Sequence, residues 1–178
     1  MRLTKWMTLP AAFGLTVLVG TVLAVADTTV EVKGVHLCCG GCVKGVGAAL
    51  KGVEGIKPAC DKDARTVTIS AKDDATAQKA VDALAAAGYH GDVSGAGVSI
   101  KETAGVPKGN VKSLSLGGIH NCCNACTKAI KAAVKTVDGV KGDTAKAKTA
   151  TFDVTGDFDA AAVIKALSAA GFHPQVKE

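Results

Sequence analysis

One short segment occurs twice in this chain, and this repeat constrains the fold more than any other feature. Residues 36–42 read HLCCGGC and residues 120–126 read HNCCNAC, so the copies lie 120 − 36 = 84 positions apart. Six of the seven cysteines belong to these two segments. Three thiols so close in sequence can converge on one soft cation, because Cu(I) and Zn(II) favour thiolate sulfur. The repeat predicts two similar domains and makes metal binding the first hypothesis, although the spacing also suits a dithiol–disulfide redox pair.

The residues around each cysteine segment predict the same series of elements in both copies. Apolar residues recur after the cysteines with the i, i+3, i+4, i+7 spacing of an amphipathic helix, which should stop near Gly55 and Gly139. A second, alanine-rich helix is expected after the amino-terminal caps Asp74 and Asp157. Alternating or β-prone runs predict strands at 28–35, 56–61, 66–71 and 89–94, and again at 112–119, 140–146, 149–155 and 172–177.

This order of elements predicts an α+β protein with two ferredoxin-like βαββαβ domains, each a four-stranded antiparallel sheet with two helices on one face. The predicted domains span 27–94 and 112–178, and a glycine-rich linker covers 95–111. A flexible linker of this length reaches roughly 20 to 25 Å, so the cysteine segments could meet or act separately. We expect each domain to hold one metal ion independently.

The amino-terminal residues, 1–26, are typical of an export signal. Arg2 and Lys5 precede an apolar run that ends in Ala24-Val25-Ala26, a small-x-small cleavage pattern. Cleavage after Ala26 would leave a secreted or periplasmic protein. The alternative is an uncleaved membrane anchor, because the run is nearly long enough to span a bilayer.

A βαββαβ unit with C-x-x-C between its first strand and first helix resembles the heavy-metal-associated domain. This domain is found in copper chaperones, in periplasmic mercury-binding proteins and in the amino-terminal modules of metal-transporting P-type ATPases. The family motif is usually Gly-Met-x-Cys-x-x-Cys, and residues 36–42 and 120–126 match it position by position. The resemblance implies that the metal-ligand pairs are Cys39 with Cys42 and Cys123 with Cys126. This chain departs from the motif at three places in each copy, which are His36 and His120, Leu37 and Asn121, and Cys38 and Cys122.

Further candidate ligands lie beside the C-x-x-C pairs. The additional cysteine of each copy is predicted to be a third ligand or a metal-transfer thiol, with an idle neighbour or a vicinal disulfide as alternatives. All four histidines follow the repeat, and the topology brings both histidines of each unit to the sheet edge that carries the cysteines. These additional candidates are Cys38, Cys122, His36, His120, His90 and His173. Cys60 has no cysteine mate and is expected to be a buried small residue.

These features predict an exported protein that binds, buffers or transfers a soft metal ion and is not an enzyme. Cu(I) is the preferred ion, with Zn(II) and Hg(II) as alternatives. The expected partner is a metal donor or acceptor protein, such as another heavy-metal-associated domain, and the membrane is a partner only if the amino-terminal segment stays uncleaved. Removing Arg2 and Lys5 lowers the net charge from +5 to about 5 − 2 = +3, which argues against nucleic-acid binding. A thiol–disulfide exchange protein and a structural zinc-binding module are the alternative functions.

Overall fold

A computed structural model describes residues 27–177, and the predicted export segment, 1–26, lies outside the described residues. Two units follow each other with the same order of elements. In the first unit these are β1 (Thr28–Lys33), α1 (Gly40–Leu50), β2 (Ile56–Asp61), β3 (Thr66–Ala71), α2 (Asp74–Ala86) and β4 (Asp92–Ser94). In the second they are β5 (Asn110–Gly117), α3 (Asn124–Lys135), β6 (Val140–Asp143), β7 (Phe152–Asp159), α4 (Ala160–Ala169) and β8 (Gln175–Val176).

Each unit forms a four-stranded antiparallel sheet, with strand order β2-β3-β1-β4 in the first and β6-β7-β5-β8 in the second. The fold is therefore α+β and is compatible with two ferredoxin-like domains. Among residues 27–177, no helix is long and apolar enough to cross a membrane.

The alternation of buried and exposed residues along the central strands explains why the helices pack on one side. In β1, Val30 and Val32 are fully buried while Glu31 between them is not. Val46 of α1 and Leu84 of α2 lie in the same core as these valines. Burying an aliphatic side chain of this size contributes about 1.5 to 3 kcal/mol, so a few such residues from each element can hold a small sheet to its helices.

Several element boundaries differ from the sequence-based predictions. The first strand ends at Lys33, two residues early, because Gly34 adopts a left-handed conformation with φ of 79°. The predicted helix caps were wrong by one and two residues. Asp73, not Asp74, caps α2 by accepting the Thr76 N–H at 2.7 Å. Asp159, not Asp157, caps α4, because β7 continues to Asp159 before the chain turns.

The two units meet through the loops that precede their last strands, and we call this contact the junction. Tyr89 and Phe172 form an antiparallel β-bridge there. The His90 N–H donates to the Gly171 carbonyl at 3.1 Å, and the equivalent bond from the second unit ends on the Gly88 carbonyl at 3.0 Å. The contact is thus nearly symmetric and uses backbone groups of both repeats.

Glycine is required at both helix ends that form the junction. Gly88 and Gly171 have φ of 84° and 88°. A Cβ on Gly88 would lie 2.3 Å from the Gly118 carbonyl oxygen, and one on Gly171 would lie 2.4 Å from the backbone nitrogen of His36. Each glycine therefore permits both the end of its helix and the close approach of the other unit.

The connecting segment, 95–109, lies against both units. Val98 is buried, and the Gln78 side chain of α2 exchanges hydrogen bonds with the backbone of Ser99 at 2.9 and 3.2 Å. The Thr103 hydroxyl donates to the carbonyl of Pro174 at 3.0 Å. This segment is therefore attached to the first unit at one end and to the second unit at the other.

Candidate metal centre

The two cysteine segments face each other across the junction, and their thiols meet in one place. We call Cys38, Cys39, Cys42, Cys122, Cys123 and Cys126 the six-thiol cluster. The Cys42 and Cys126 sulfurs lie 3.8 Å apart, as close as the two sulfurs of the Cys123–Cys126 pair. All of these cysteines are free thiols. This arrangement departs from the two separate sites that we expected from the sequence, because sulfurs of different units are as close as sulfurs of one unit.

Two helix amino termini point at the cluster. Cys39 and Cys123 are the amino-terminal caps of α1 and α3, with extended backbone and no capping hydrogen bond from the side chain. Cys42 and Cys126 follow in the first turn and are fully buried. Neither first turn contains an acidic residue. The partial positive charge of both helix ends therefore acts on the sulfurs, which favours thiolate over thiol.

The thiols share their charge unequally. The Cys126 thiol is hydrogen-bonded to the Cys42 sulfur and lowers the pKa of Cys42, with the His120 imidazole adding to the shift. The same bond raises the pKa of Cys126, since its proton is held by Cys42. Burial raises the pKa of Cys38 above its usual range and that of Cys122 to about 12. The thiolate is thus favoured at the buried Cys42, and Cys38, Cys122 and Cys126 resist ionisation until a cation neutralises the charge.

Cys123 differs from Cys38 and Cys122. The backbone N–H of Cys126 and then that of Ala125 lower the pKa of Cys123 to about 7. A thiol of this kind is partly ionised near neutral pH and is available as a nucleophile or as a ligand.

Two imidazoles flank the cluster, one from each unit. His36 stacks on Phe172 and His120 stacks on Tyr89, each with 4.4 Å between ring centroids, so each histidine packs on an aromatic ring of the other unit. The Nε2 atoms of both histidines are buried without a hydrogen-bond partner. A buried polar atom without a partner costs free energy, and a metal ion or a ligand proton would relieve that cost.

Among residues 27–177, the ligand atoms form three overlapping groups in which all atoms lie within 4.8 Å of one another. These groups are Cys42, His120, Cys122 and Cys126; His36, Cys38 and Cys126; and Cys38, Cys39 and Cys123. Every group except the last mixes thiols with an imidazole, and every group draws on both units. The donor set fits a soft or borderline metal ion.

His90 and His173, which we predicted as ligands, contact each other instead. Their Nδ1 atoms are 3.1 Å apart and their rings are stacked, with 5.4 Å between centroids. Neither histidine joins the three ligand groups of the described residues. The topology argument placed both at the correct end of the sheet, but each ring is directed to its repeat mate across the junction. Cys60 also lies outside the groups, partly buried on β2.

The sequence analysis did not identify Tyr89 and Gly45, which pack against the backbone of Cys42 and the ring of His120. The Tyr89 hydroxyl donates to the Cys42 carbonyl at 2.8 Å. A Cβ on Gly45 would lie 2.2 Å from that hydroxyl and 2.8 Å from Cε1 of His120. The repeat mate of Gly45 is Ala129, and that of Tyr89 is Phe172, which has no hydroxyl. This paired difference between the copies was the available signal.

The position usually occupied by methionine is buried in both units, with different chemistry. Leu37 packs in the apolar core. Asn121 donates to the carbonyls of Lys146 and Thr149 at 2.7 and 3.2 Å and accepts the Thr127 hydroxyl at 2.9 Å. Its polar atoms are satisfied, so its burial carries no unpaired group.

Comparison with known proteins supports the same chemistry. Residues 118–173, which hold the second cysteine segment and most of the second unit, match the family model of the heavy-metal-associated domain. No curated protein matches the chain. The match indicates heavy-metal binding, and the six-thiol cluster could hold the metal.

Proposed function

We propose that this chain is an exported protein that binds, buffers or transfers a soft metal ion, preferably Cu(I), and performs no catalysis of its own. The observation that carries the proposal is the six-thiol cluster, in which sulfurs of one unit lie 3.6 to 3.8 Å from sulfurs of the other, beside two imidazoles whose Nε2 atoms have no hydrogen-bond partner. Thiolate ligands select Cu(I) over the harder divalent ions. The export signal and the second heavy-metal-associated-like unit are parts of this proposal that rest on the sequence pattern.

The exposure of the cluster supports transfer as well as storage. Cys38 is exposed, and Cys39 and Cys123 are partly exposed, whereas Cys42 and Cys126 are buried. Thiols of a donor or acceptor protein can therefore reach one side of the cluster and exchange with its outer ligands one at a time. The buried pair would retain the ion until the exchange is complete. The partner we propose is a metal donor or acceptor with its own thiols, and not a nucleic acid.

The test is a Cu(I) titration of the reduced, full-length chain in competition with a chromogenic Cu(I) chelator, without oxygen. We expect Cys39→Ser/Cys42→Ser to remove more than half of the bound copper and to weaken what remains, because those sulfurs contact Cys122 and Cys126. Cys60→Ser is the matched control and should bind as the wild type does, since Cys60 lies outside the ligand groups. Loss of half the copper with unchanged affinity for the remainder would instead support two independent sites.

A thiol–disulfide exchange protein is the second candidate, favoured by the lowered pKa of Cys123. Its sulfur lies 3.8 Å from that of Cys126, so only a small movement is needed for a disulfide. Counting free thiols and metal ions in the protein purified from its own compartment separates the candidates. Oxidised cysteine pairs without metal would support exchange, and reduced thiols with metal would support metal handling.

A further inference from the structure

The contacts among the six sulfurs, nine of them 3.6 to 3.9 Å long, follow the edges of a distorted octahedron. Cys42 and Cys126 each lie within 3.6 to 3.9 Å of sulfurs on both units. Cys38, Cys39 and Cys123 lie within 4.8 Å of one another and join the remaining corners. In this pattern the opposite corners are Cys38 and Cys122, Cys39 and Cys126, and Cys42 and Cys123. Each opposite pair takes one sulfur from each unit, as the near-symmetric junction requires.

Four faces of this octahedron share corners but no edges, and each face is a triangle of thiols. One face has edges of 3.6, 3.6 and 3.8 Å between Cys38, Cys42 and Cys126. A second has edges of 3.9, 3.8 and 3.7 Å between Cys39, Cys42 and Cys122. A third face joins Cys38, Cys39 and Cys123, whose sulfurs lie within 4.8 Å of one another. The fourth face is bounded by the edges of 3.7 and 3.8 Å that run from Cys126 to Cys122 and to Cys123.

The size of these triangles fits a metal ion with three sulfur ligands. A first-row metal–thiolate bond is about 2.3 Å, and three sulfurs at 120° around such an ion are then about 4.0 Å apart. The edges of the first two faces, 3.6 to 3.9 Å, are within about 0.4 Å of that value. In this set of faces every sulfur belongs to two triangles, so every thiolate would bridge two ions.

Charge favours several Cu(I) ions over one. Six thiolates carry six negative charges, which the buried Cys42 and Cys126 make costly. Four Cu(I) ions bound to six thiolates would reduce these six charges to 6 − 4 = 2. The two histidines beside the cluster add ligand capacity without adding negative charge.

We propose that the junction holds a cluster of four Cu(I) ions bridged by the six thiolates, which rests on the proposed function and specifies its cargo. Four Cu(I) ions bind as the six thiols lose their protons to solvent, and a thiol that is already ionised releases none. No atom changes oxidation state. Because each unit supplies only three of the six sulfurs, the four-ion cluster forms only when the two units are in contact at the junction. Binding is therefore cooperative, and the loaded cluster ties the two units together.

The test is native mass spectrometry of the full-length, reduced chain during stepwise addition of Cu(I), with copper X-ray absorption of the loaded sample. We expect monomers with zero and four copper ions to dominate at half loading, and copper–copper scattering in addition to copper–sulfur scattering. Cys38→Ser/Cys122→Ser removes two opposite corners and should reduce the maximum from four ions to two or fewer. Cys60→Ser should retain four.

Each other result has a separate meaning. One or two Cu(I) ions per chain without copper–copper scattering would overturn the four-ion cluster and leave the proposed function standing. Four ions found only on dimers of the chain would also overturn it, because the octahedron is complete within one chain. No Cu(I) retained against the chelator would overturn the proposed function itself. A single Zn(II) ion retained under the same conditions would assign the centre to the Cys42, His120, Cys122 and Cys126 group as a tetrahedral site.

Discussion

Leu37 and Asn121 occupy the same place in the two units, and both are buried, yet they hold the cysteine segments in different ways. Leu37 contributes apolar packing alone, whereas Asn121 ties the second segment to the turn at 146–149 through hydrogen bonds. The second unit has replaced part of its hydrophobic support with polar support. The thiols that these residues position are nevertheless the same in number and spacing.

A second difference between the units lies in the aromatic rings on which His36 and His120 stack. In the first unit Tyr89 carries a hydroxyl bonded to the Cys42 carbonyl, and Gly45 leaves room for it. In the second unit the mates are Phe172 and Ala129. The unit whose aromatic ring carries a hydroxyl has glycine at the facing helix position, and the unit whose ring lacks the hydroxyl has alanine there. The two units are therefore identical in the groups that meet at the cluster and different in the groups that support it, so exchanging support residues should separate stability from metal binding.

The largest expected effect comes from opening the junction with Gly171→Ala. The new Cβ would overlap the backbone of His36 and would hold an alanine at positive φ, so we expect a loss of about 3 to 4 kcal/mol in unfolding free energy and a large fall in Cu(I) affinity. Urea unfolding and chelator competition measure these. Gly109→Ala is the control, because Gly109 has φ of 76° but open space around it. It should lose only about 1 kcal/mol and keep its copper affinity. Equal behaviour of the two variants would show that the junction is not needed.

Exchanging the two buried mates should reveal their different roles. Leu37→Asn places an amide in an apolar core and removes packing, so we expect a loss of about 3 kcal/mol. Asn121→Leu removes hydrogen bonds to the carbonyls of the exposed residues Lys146 and Thr149, and the Thr127 hydroxyl that also loses its bond to Asn121 keeps the Cys123 carbonyl as acceptor, so the loss should be about 1 kcal/mol. Urea unfolding of both variants tests this, and equal losses would contradict the assignment of apolar support to one unit and polar support to the other.

Much of the fold could be predicted from the repeat. The bounds of β2 and β3 were predicted correctly, since both strands are delimited by clear turn residues. The strand leading into the first cysteine segment was predicted two residues too long, because the apolar residues continue beyond Gly34. The strand leading into the second was predicted two residues too late, at 112–119, whereas β5 spans Asn110–Gly117. Asp157 was mistaken for a cap because an aspartate before an alanine-rich run also suits the end of a strand, and here it pairs with Lys112.

The shared centre could not be predicted from periodicity. Each cysteine segment is complete in itself by sequence, and the contact between units depends on Gly88, Gly171 and the β-bridge of Tyr89 with Phe172. These residues lie far from the cysteines in sequence. The repeat offset of the histidines was the nearest clue, because it made His90 and His173 equivalent positions. It could not predict that the two rings contact each other.

The Tyr89 and Gly45 pair should show coupling that its mates lack. Gly45→Ala would press a methyl group against the Tyr89 hydroxyl and His120, which we expect to cost about 2 kcal/mol. In a Tyr89→Phe background the cost should fall to about 1 kcal/mol, which a double-mutant cycle by urea unfolding can measure. Gly47→Ala is the control on the same helix, with open space at its Cβ, and should stabilise α1 by about 0.5 to 1 kcal/mol. Additive effects of the two changes would contradict the contact.

The smallest expected effect is the pH dependence of the histidine pair that lies away from the cysteines. Burial lowers the pKa of both His90 and His173. The carboxylates of Glu102, which acts on both rings, and Asp92, which acts on His90, raise these pKa values but do not cancel the effect of burial. Burial lowers the pKa of His36 as well. Unfolded histidine titrates near pH 6.5, so below that pH the unfolded chain binds more protons than the folded chain does. The stability from these neutral rings is therefore fully present above about pH 6.5 and is lost as the pH falls through the lower, folded values.

Urea unfolding of the metal-free, reduced chain at about pH 5.5 and 7.5 measures this loss. His90→Gln and His173→Gln should each flatten the decline, because the ring that remains no longer meets a second ring 3.1 Å away when it is protonated. Part of the decline should persist through His36. Copper affinity at about pH 7.5 should stay close to that of the wild type in both variants, since neither ring joins the ligand groups. A large fall in copper affinity with an unchanged pH profile would instead return His90 and His173 to the role of ligands.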